Sequence, residues 1–457
     1  MARRRATQID LLRVVDLLYE HLTPALCRAA FGRVRRTERQ RVWTLTALVQ
    51  FWTAVVLRAP KALSQALADS REGREPLYPR IEASPEAFFQ RCRDLRPAFF
   101  TEVFQRFTAR MVDVVPPRYA ADLGPLYTRF AAVVIFDGSR LAAIARRLKL
   151  LWAERAVILP GALLGVYDLG RGLCRSLHFD PDAAASEVVR ARPVLATLAR
   201  NTLVLGDRLY ATAAFFDLLR AHHCWGVVRR QRQLSLHRLQ RLRKRRFLGG
   251  DLEDWLVRAG TGTTAPAQTL RYIRWRRAGT RFEVLTNVIS ATQLAAEEAL
   301  TLYPFRWSIE RMFFDLKEVL NLNRLYAANP NAVAMQVYAA AIVYNAMRVA
   351  QSEAAAQLDE PPEDLSPAKL FPKIAVASFL YAYGQQLQRQ WQRRHPRAHP
   401  HLVVRWRAHR WARTAAVNTR VEHRSDVRRR RRFCAARRHW KSLRRVRGGH
   451  RLLAKLS

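Results

Sequence analysis

The first quarter of the chain carries apolar residues at steps of three and four positions, the spacing of amphipathic helices. The pattern runs from about Gln8 to Met111 and is clearest at Leu11, Val15 and Leu18. We therefore predict an all-helical N-terminal region over residues 1–125.

Beyond Tyr127 continuous apolar runs replace the helical periodicity. Residues 131–138 form one run, which ends in Asp137-Gly138, and residues 202–207 form a second, which ends in Gly206-Asp207. Such runs are typical of strands that are buried on both faces. The sequence therefore predicts two buried strands, each with an aspartate at its end.

Shorter elements are predicted around these two strands. Glycines at 170 and 172 separate two strand-like segments, which indicates a hairpin. The expected elements are the hairpin strands 161–168 and 173–179, helices over 183–199 and 210–221, and a strand over 225–228. Strands that alternate with helices predict an α/β core with a mixed sheet.

The remaining chain divides by composition into three parts. Residues 233–291 combine a densely basic stretch with strand-like segments, and we predict a β-rich insertion there. A helical pattern resumes near Tyr303 and completes a core assigned to residues 126–232 and 292–350. Prolines then mark a linker that opens a helical, basic C-terminal region over residues 351–457.

The excess of positive charge indicates which kind of molecule the protein binds. The chain has 79 Lys and Arg against 37 Asp and Glu, a formal net charge of +42, and residues 401–457 alone hold 19 Lys and Arg against two acids. Such a charge is best tolerated beside a polyanion. Nucleic acid is favoured over a membrane, because the apolar stretches 42–57 and 332–350 contain polar residues and are better explained as buried helices.

Cysteine usage and the N-terminus bear on the compartment. Five cysteines are widely scattered without paired spacing, which disfavours both a disulfide framework and a zinc site. Asp10, Arg13 and Asp16 interrupt the segment in which a signal peptide would be apolar. We expect a cytoplasmic protein.

The segment 303–317 is the most informative for chemistry. On a helix that begins at Pro304, Tyr303, Arg306, Glu310 and Lys317 would share an arc about 60° wide. This arrangement suits a metal ligand flanked by phosphate contacts, but the geometry alone favours ordinary ion pairs on a solvated amphipathic helix.

Other acids near these positions are assigned local or surface roles. The same angular count turns Asp315 and Glu318 away from Glu310 and predicts that both face solvent. Asp168 is expected to serve a hairpin turn, where aspartate is common for local reasons.

The Tyr-x2-Arg-x3-Glu-x6-Lys spacing from Tyr303 to Lys317 resembles the signature of bacterial insertion-sequence transposases of the DDE class. Residues 135–139 and 205–210 resemble the two aspartate blocks of that family, with Ser139 in place of the usual Thr. The resemblance covers about residues 131–348. It implies a ribonuclease-H-like catalytic core in which Asp137, Asp207 and Glu310 are catalytic and bind metal.

The resemblance also implies cofactors and partners. Two Mg²⁺ ions, replaceable by Mn²⁺, would serve cleavage at transposon ends and strand transfer by a 3′-OH. The expected partner is double-stranded DNA, both transposon ends and target, bound by a homodimer associated with the nucleoid. The N-terminal helices would bind the DNA ends.

Six residues beside the acids are expected to contact DNA on the same ground. Arg306 and Lys317 would hold phosphates, while Trp307 either stacks an unstacked base or packs in the core. The full set is Tyr303, Arg306, Trp307, Lys317, Arg208 and Tyr210.

Three functions therefore stay open. The chain is an active transposase, a decayed or domesticated DNA-binding protein without catalysis, or a ribonuclease-H-like nuclease without strand transfer. A basic composition suits all three and does not discriminate between them.

Overall fold

The computed structural model describes residues 13–394 except 36, 38, 40, 117, 142–160, 183–186, 262–264 and 328. The predicted basic tail beyond residue 394, residues 1–12 and the start of the helix predicted at 183 lie outside the described residues.

The N-terminal region is helical, as its periodicity predicts. Thr23, Thr44 and Ser84 each cap a helix by accepting a hydrogen bond from a backbone N–H of its first turn. Trp43 and Phe51 pack edge-to-face against Phe88 in the core of this region. The helices are α1 (Arg13–His21), α2 (Pro24–Gly32), α3 (Leu45–Arg58), α4 (Leu63–Glu72), α5 (Pro85–Asp94), α6 (Ala98–Val114) and α7 (Gly124–Arg129).

A mixed sheet follows, and its first five strands lie close to the predicted positions. They are β1 (Ala132–Arg140), β2 (Ala162–Asp168), β3 (Leu173–Asp180), β4 (Thr202–Gly206) and β5 (Trp225–Arg229). The exception is that β1 continues past Asp137 to Arg140, because it still pairs with β2 there. β2 and β3 form an antiparallel hairpin beside β1, whereas β4 and β5 run parallel to β1 on its other side. Helices α8 (Glu187–Leu195) and α9 (Ala213–Ala221) are the two connections between the parallel strands and their neighbours.

The region predicted as a β-rich insertion consists of four long antiparallel strands. They are β6 (Leu236–Phe247), β7 (Gly250–Ala259), β8 (Gln268–Arg277) and β9 (Thr280–Thr286). They extend the same sheet, because β9 pairs with β5, and the strand order is β3-β2-β1-β4-β5-β9-β8-β7-β6. The fold is therefore mixed α/β, as predicted, whereas the continuity of the sheet was not. The domain boundaries stay predictions.

The last helices pack on the face of the sheet that carries the larger hydrophobic core. They are α10 (Ala296–Leu302), α11 (Trp307–Phe314), α12 (Pro330–Leu358) and α13 (Pro367–Arg394). α12 is long and apolar enough to cross a membrane, but its apolar window is entirely buried inside the protein. Its polar residues have partners: Asn345 bonds Cys174 and Thr108, and Arg348 bonds Gly172. α12 is thus a core helix, as its polar positions predict.

Candidate active site

The two aspartates lie at equivalent positions of adjacent parallel strands. The last paired residues of β1 and β4 are Ile135 and Leu205, and each strand carries its aspartate two residues further on. Because neighbouring strands are about 4.8 Å apart, Asp137 and Asp207 come to one edge of the sheet. Both carboxylates also fix local backbone: Asp137 accepts from the Gly138 N–H at 2.9 Å, and Asp207 accepts from the Leu209 N–H at 2.6 Å.

Glu310 reaches the same edge from α11, which packs on β1 and β2. Gly165 permits this approach, because it lies directly opposite Asp137 on β2 and a Cβ there would stand 3.0 Å from both Met312 and Phe313. Glu310 remains 46% exposed, so its carboxylate is accessible from the pocket.

Arg306 bridges two of the acids. Its guanidinium donates to Asp137 Oδ2 at 2.8 Å and to Glu310 Oε1 at 3.1 Å. Burial opposes the positive charge, but Tyr303, Asp137 and Glu310 outweigh it and raise the pKa of Arg306. The arginine therefore stays charged and balances the carboxylates.

Lys317 and Ser139 close the other side of the site. The Lys317 ammonium donates to Ser139 Oγ at 2.7 Å, and burial lowers the pKa of Lys317 while Glu318 opposes the shift. Sequence reasoning had singled out the lysine but not its partner. Ser139 follows Asp137 by two positions on one strand, so strand alternation alone places both on one face.

These side chains line one pocket of about 480 Å³. All three predicted carboxylates line it, together with two of the predicted DNA contacts. Its lining residues are Asp137, Gly138, Ser139, Asp207, Arg306, Glu310, Phe313, Phe314, Lys317 and Glu318.

Four predicted DNA contacts fall outside that lining. Tyr303 is buried against Phe282, and burial raises its pKa to about 12. Arg208 is exposed beside Asp207. Trp307 is 40% exposed with the Arg306 guanidinium 4.6 Å from its ring centroid, which contradicts the alternative of a core tryptophan.

Tyr210, also predicted to contact DNA, does not face the pocket. Its side chain is fully buried and packs against Phe136 and Phe215, with ring centroids 5.0 Å apart in each pair. The reason is local: residues 208–210 form a 3-10 turn capped by Asp207, which directs the tyrosine under the sheet instead of toward the pocket.

The predicted helical surface is also wrong in part. Residues 303–306 form a 3-10 turn, and residues 315–319 form a π turn, so the angular step is not uniform along the segment. Asp315, predicted to face solvent, is 0% exposed and pairs with Arg311 at 3.2 Å. Glu318 is exposed as predicted, yet it lines the pocket. Pro304 lies inside this 3-10 turn and does not begin the helix.

Asp168 has the local role expected of it. Its Oδ1 accepts from the Arg171 N–H at 2.9 Å in the turn between β2 and β3. Burial raises its pKa, which the hydrogen bonds and the charge of Arg171 oppose.

The chemistry of the donor set fits a hard divalent cation, because carboxylate oxygens are the ligands that Mg²⁺ prefers. Within the described residues no group of three His, Cys, Asp or Glu side chains is assembled closely enough to form a metal site. The Arg306 guanidinium lies between Asp137 and Glu310, and its positive charge balances these two carboxylates as a metal ion would.

Comparison with known proteins assigns the class. Residues 162–346 match the family described as the transposase DDE domain, a range that includes Asp207 and Glu310 and begins after Asp137. The chain is 29% identical over 154 residues to the probable transposase for insertion sequence element IS5377 of Geobacillus stearothermophilus. That alignment covers 33% of this chain and about 40% of the length of the relative.

A cryo-EM structure of the piggyBac transposase synaptic complex with hairpin DNA aligns over 91% of this chain and 87% of that one. Its TM-score is 0.35 at 11% identity, too low to support an argument. The family and the IS5377 relative confirm the resemblance seen in the motifs. Residues 162–346 are thus similar to a DDE transposase domain, and part of the chain is similar to a bacterial insertion-sequence transposase.

Proposed function

We propose that the chain is a cut-and-paste DNA transposase that cleaves transposon ends and transfers the strand by attack of a 3′-OH. The observation that carries this proposal is the single pocket lined by Asp137, Asp207 and Glu310 together with Arg306 and Lys317. Three acids around one pocket, two from the sheet and one from α11, suit metal-dependent phosphodiester chemistry, and two cations beside them suit a DNA phosphate.

In this proposal each residue has a defined part. Asp137, Asp207 and Glu310 would hold divalent cations, two Mg²⁺ or Mn²⁺ in their place. Such ions, when bound, activate the attacking oxygen and stabilise the leaving one during in-line displacement. Arg306 and Lys317 would bind phosphate oxygens, the arginine with two parallel hydrogen bonds.

The surrounding fold supports the same reading. A hairpin on one side of β1 and parallel strands on the other suit the ribonuclease-H-like core that the motifs imply. We further propose that the N-terminal helices bind the element ends, that two copies act on paired ends, and that the protein works in the cytoplasm at the nucleoid.

The test uses the purified full chain and end-labelled DNA that contains the intact ends of its own element. Mg²⁺, EDTA and the variant Asp207→Asn are compared. We expect cuts at the element boundary only with metal and only in the wild type, followed by joined products on added target DNA. Tight binding without cuts would instead favour a decayed or domesticated DNA-binding protein, and cuts without joining would favour a nuclease.

A further inference from the structure

The outer edge of the sheet is formed by a strand that is unusually basic. β6 pairs with β7 on one side only, and within the described residues no strand covers its other side. Ten of its twelve residues are exposed. Six of the twelve are Lys or Arg.

Two β-bulges align these cations. The pairing of β6 with β7 skips Leu239 and again Leu242, which are left 51% and 42% exposed. Each skipped residue shifts the alternation of the strand by one position. Arg238 and Arg241, three residues apart, therefore fall on the same face, whereas an unbulged strand would put them on opposite faces.

The aligned residues continue along the strand. Their partners on β7 are Val257, Trp255, Glu253 and Asp251, successive positions on one face. We call this set the cation row; its members are Arg238, Arg241, Lys244 and Arg246.

An indole ring orients two members of the row. The guanidinium carbons of Arg238 and Arg241 lie 4.8 Å and 5.7 Å from the Trp255 ring centroid. Trp255 donates to Glu253 Oε2 at 3.1 Å, and Glu253 is paired with Arg274 at 2.5 Å. Stacking on a ring holds a guanidinium while leaving its N–H groups available to an acceptor.

Most of the charge in the row is not neutralised nearby. Arg246 pairs with Asp251 at 2.9 Å, but Arg238, Arg241 and Lys244 form no ion pair with any residue in the described ranges. Members of the row lie opposite every second residue of β7, and these β7 residues are about 6.8 Å apart along the strand. Duplex DNA is a dense linear polyanion, with about one negative charge per 1.7 Å of its axis, so a row of unneutralised cations is complementary to it in charge.

We propose that the cation row binds the phosphate backbone of duplex DNA away from the reacting phosphate. The proposal rests on the function proposed above and adds a docking surface to it. β6 and β1 are six strands apart in the sheet, about 29 Å at ~4.8 Å per strand. The row therefore contacts a part of the duplex that lies well away from the phosphate that is cut.

Protection of a sheet edge explains charge on β6 but not its arrangement. Lysines and bulges at a sheet edge prevent pairing with another chain. For this purpose it does not matter which face of the edge strand carries the charged side chains. The two bulges instead collect cations on one face, over a tryptophan that is itself anchored by hydrogen bonding. This alignment is what a linear polyanion requires.

The test compares two variants of equal charge in the full chain. The row variant is Arg238→Gln/Arg241→Gln/Lys244→Gln, and the control is Arg192→Gln/Arg200→Gln/Arg220→Gln, three exposed arginines on and around α8 and α9. Binding to a duplex of three helical turns without element ends is measured between about 50 and 200 mM salt.

We expect the row variant to bind more weakly and its slope of log K against log salt to become shallower by roughly 2.7, about 0.9 per lost phosphate contact. The control should keep a slope nearer the wild type. Equal slopes for both variants would overturn the proposal, as would a loss confined to single-stranded DNA.

A folding defect, and a failure of the function proposed above, can each be distinguished from a failure of the proposal about the cation row. The conservative variant Arg238→Lys/Arg241→Lys retains the positive charge and should keep most of the salt dependence of the wild type. If this variant lost duplex binding while its unfolding midpoint stayed unchanged, the result would contradict a phosphate contact. Binding to end-less duplex needs no cleavage, so a wild type that never cuts DNA speaks only against the function proposed above.

Discussion

The two halves of the sheet, an inner half of strands β1 to β5 and an outer half of strands β6 to β9, carry charge in opposite ways. Every residue of β2 and β4 in the inner half is buried, and the acids of the site stand where β1 and β4 leave their pairing. In the outer half, β6 is exposed along its length and is lined with cations. The inner half thus has its acidic side chains together where β1 and β4 separate, and the outer half has basic side chains distributed along its edge strand β6.

The difference follows from what covers each half. The inner strands lie between two hydrophobic clusters, so an ionisable side chain can reach water only at the strand ends. Arg306 and Asp137 are both largely buried, so their interaction is stronger than it would be on an open surface. We expect substitutions at the strand ends to affect chemistry, and substitutions along the outer edge to affect affinity.

The largest expected effect is on catalysis at the inner half. Glu310→Gln keeps the size of the side chain and its position on α11 but removes a charge from the pocket. We expect cleavage to fall by roughly 10⁴-fold or more, as when one member of a catalytic group that acts as a unit is removed. Duplex binding should persist. Single-turnover cleavage and binding are measured on the same DNA, and a parallel loss of both would make Glu310 a structural residue.

A buried ion pair provides the next largest effect, on stability. Arg271 in β8 is 0% exposed and donates to Asp254 at 2.5 Å and 3.3 Å, and also to the Leu294 carbonyl at 2.7 Å. Arg271→Met leaves Asp254 buried without its cation, so the free energy of unfolding should fall by about 3–5 kcal/mol. Denaturant unfolding measures the change.

The matched control is Arg271→Met/Asp254→Asn, which removes both charges. We expect it to recover part of the lost free energy of unfolding, because an uncompensated charge costs more than an absent pair. Equal destabilisation of the single and double variants would mean that packing, and not charge, is what Arg271 provides to the outer half.

Gly165 tests how closely the catalytic helix must approach the inner strands. A Cβ at this position would stand 3.0 Å from Met312 and Phe313, tighter than ordinary packing. Gly165→Ala should therefore destabilise the fold by about 1–3 kcal/mol and move Glu310 relative to Asp137. We expect cleavage to fall more than the unfolding midpoint explains. Cleavage measured well below that midpoint, and found unchanged, would show that α11 adjusts without cost.

The sequence predicts local features of this arrangement better than non-local ones. The apolar runs before Asp137 and Asp207 predict strands that are buried on both faces, because such strands are apolar along nearly their whole length. The pairing of β9 with β5, which joins the two halves, depends on residues far apart in the chain and leaves no local signal.

The errors near the pocket have a similar origin. Asp315 is buried because a π turn interrupts the helix, and Tyr210 is buried because a 3-10 turn follows Asp207. Both turns change the direction of the side chains that follow, and uniform helical spacing cannot anticipate them. The sharing of one pocket by Asp137, Asp207 and Glu310 agrees with the motif, while their catalytic role stays a prediction.

The smallest expected effect concerns Ser139, which sequence reasoning did not select. Its hydroxyl accepts a hydrogen bond from the Lys317 ammonium at 2.7 Å and so helps to hold this lysine beside the pocket. Ser139→Ala should weaken binding of cleavable DNA by about 1 kcal/mol, roughly fivefold, with little change in the rate of the bound complex. Ser139→Thr retains the hydroxyl and should behave like the wild type. If alanine instead lowered the rate of the bound complex and left affinity unchanged, Ser139 would belong with the acids at the strand ends and not with the phosphate contacts.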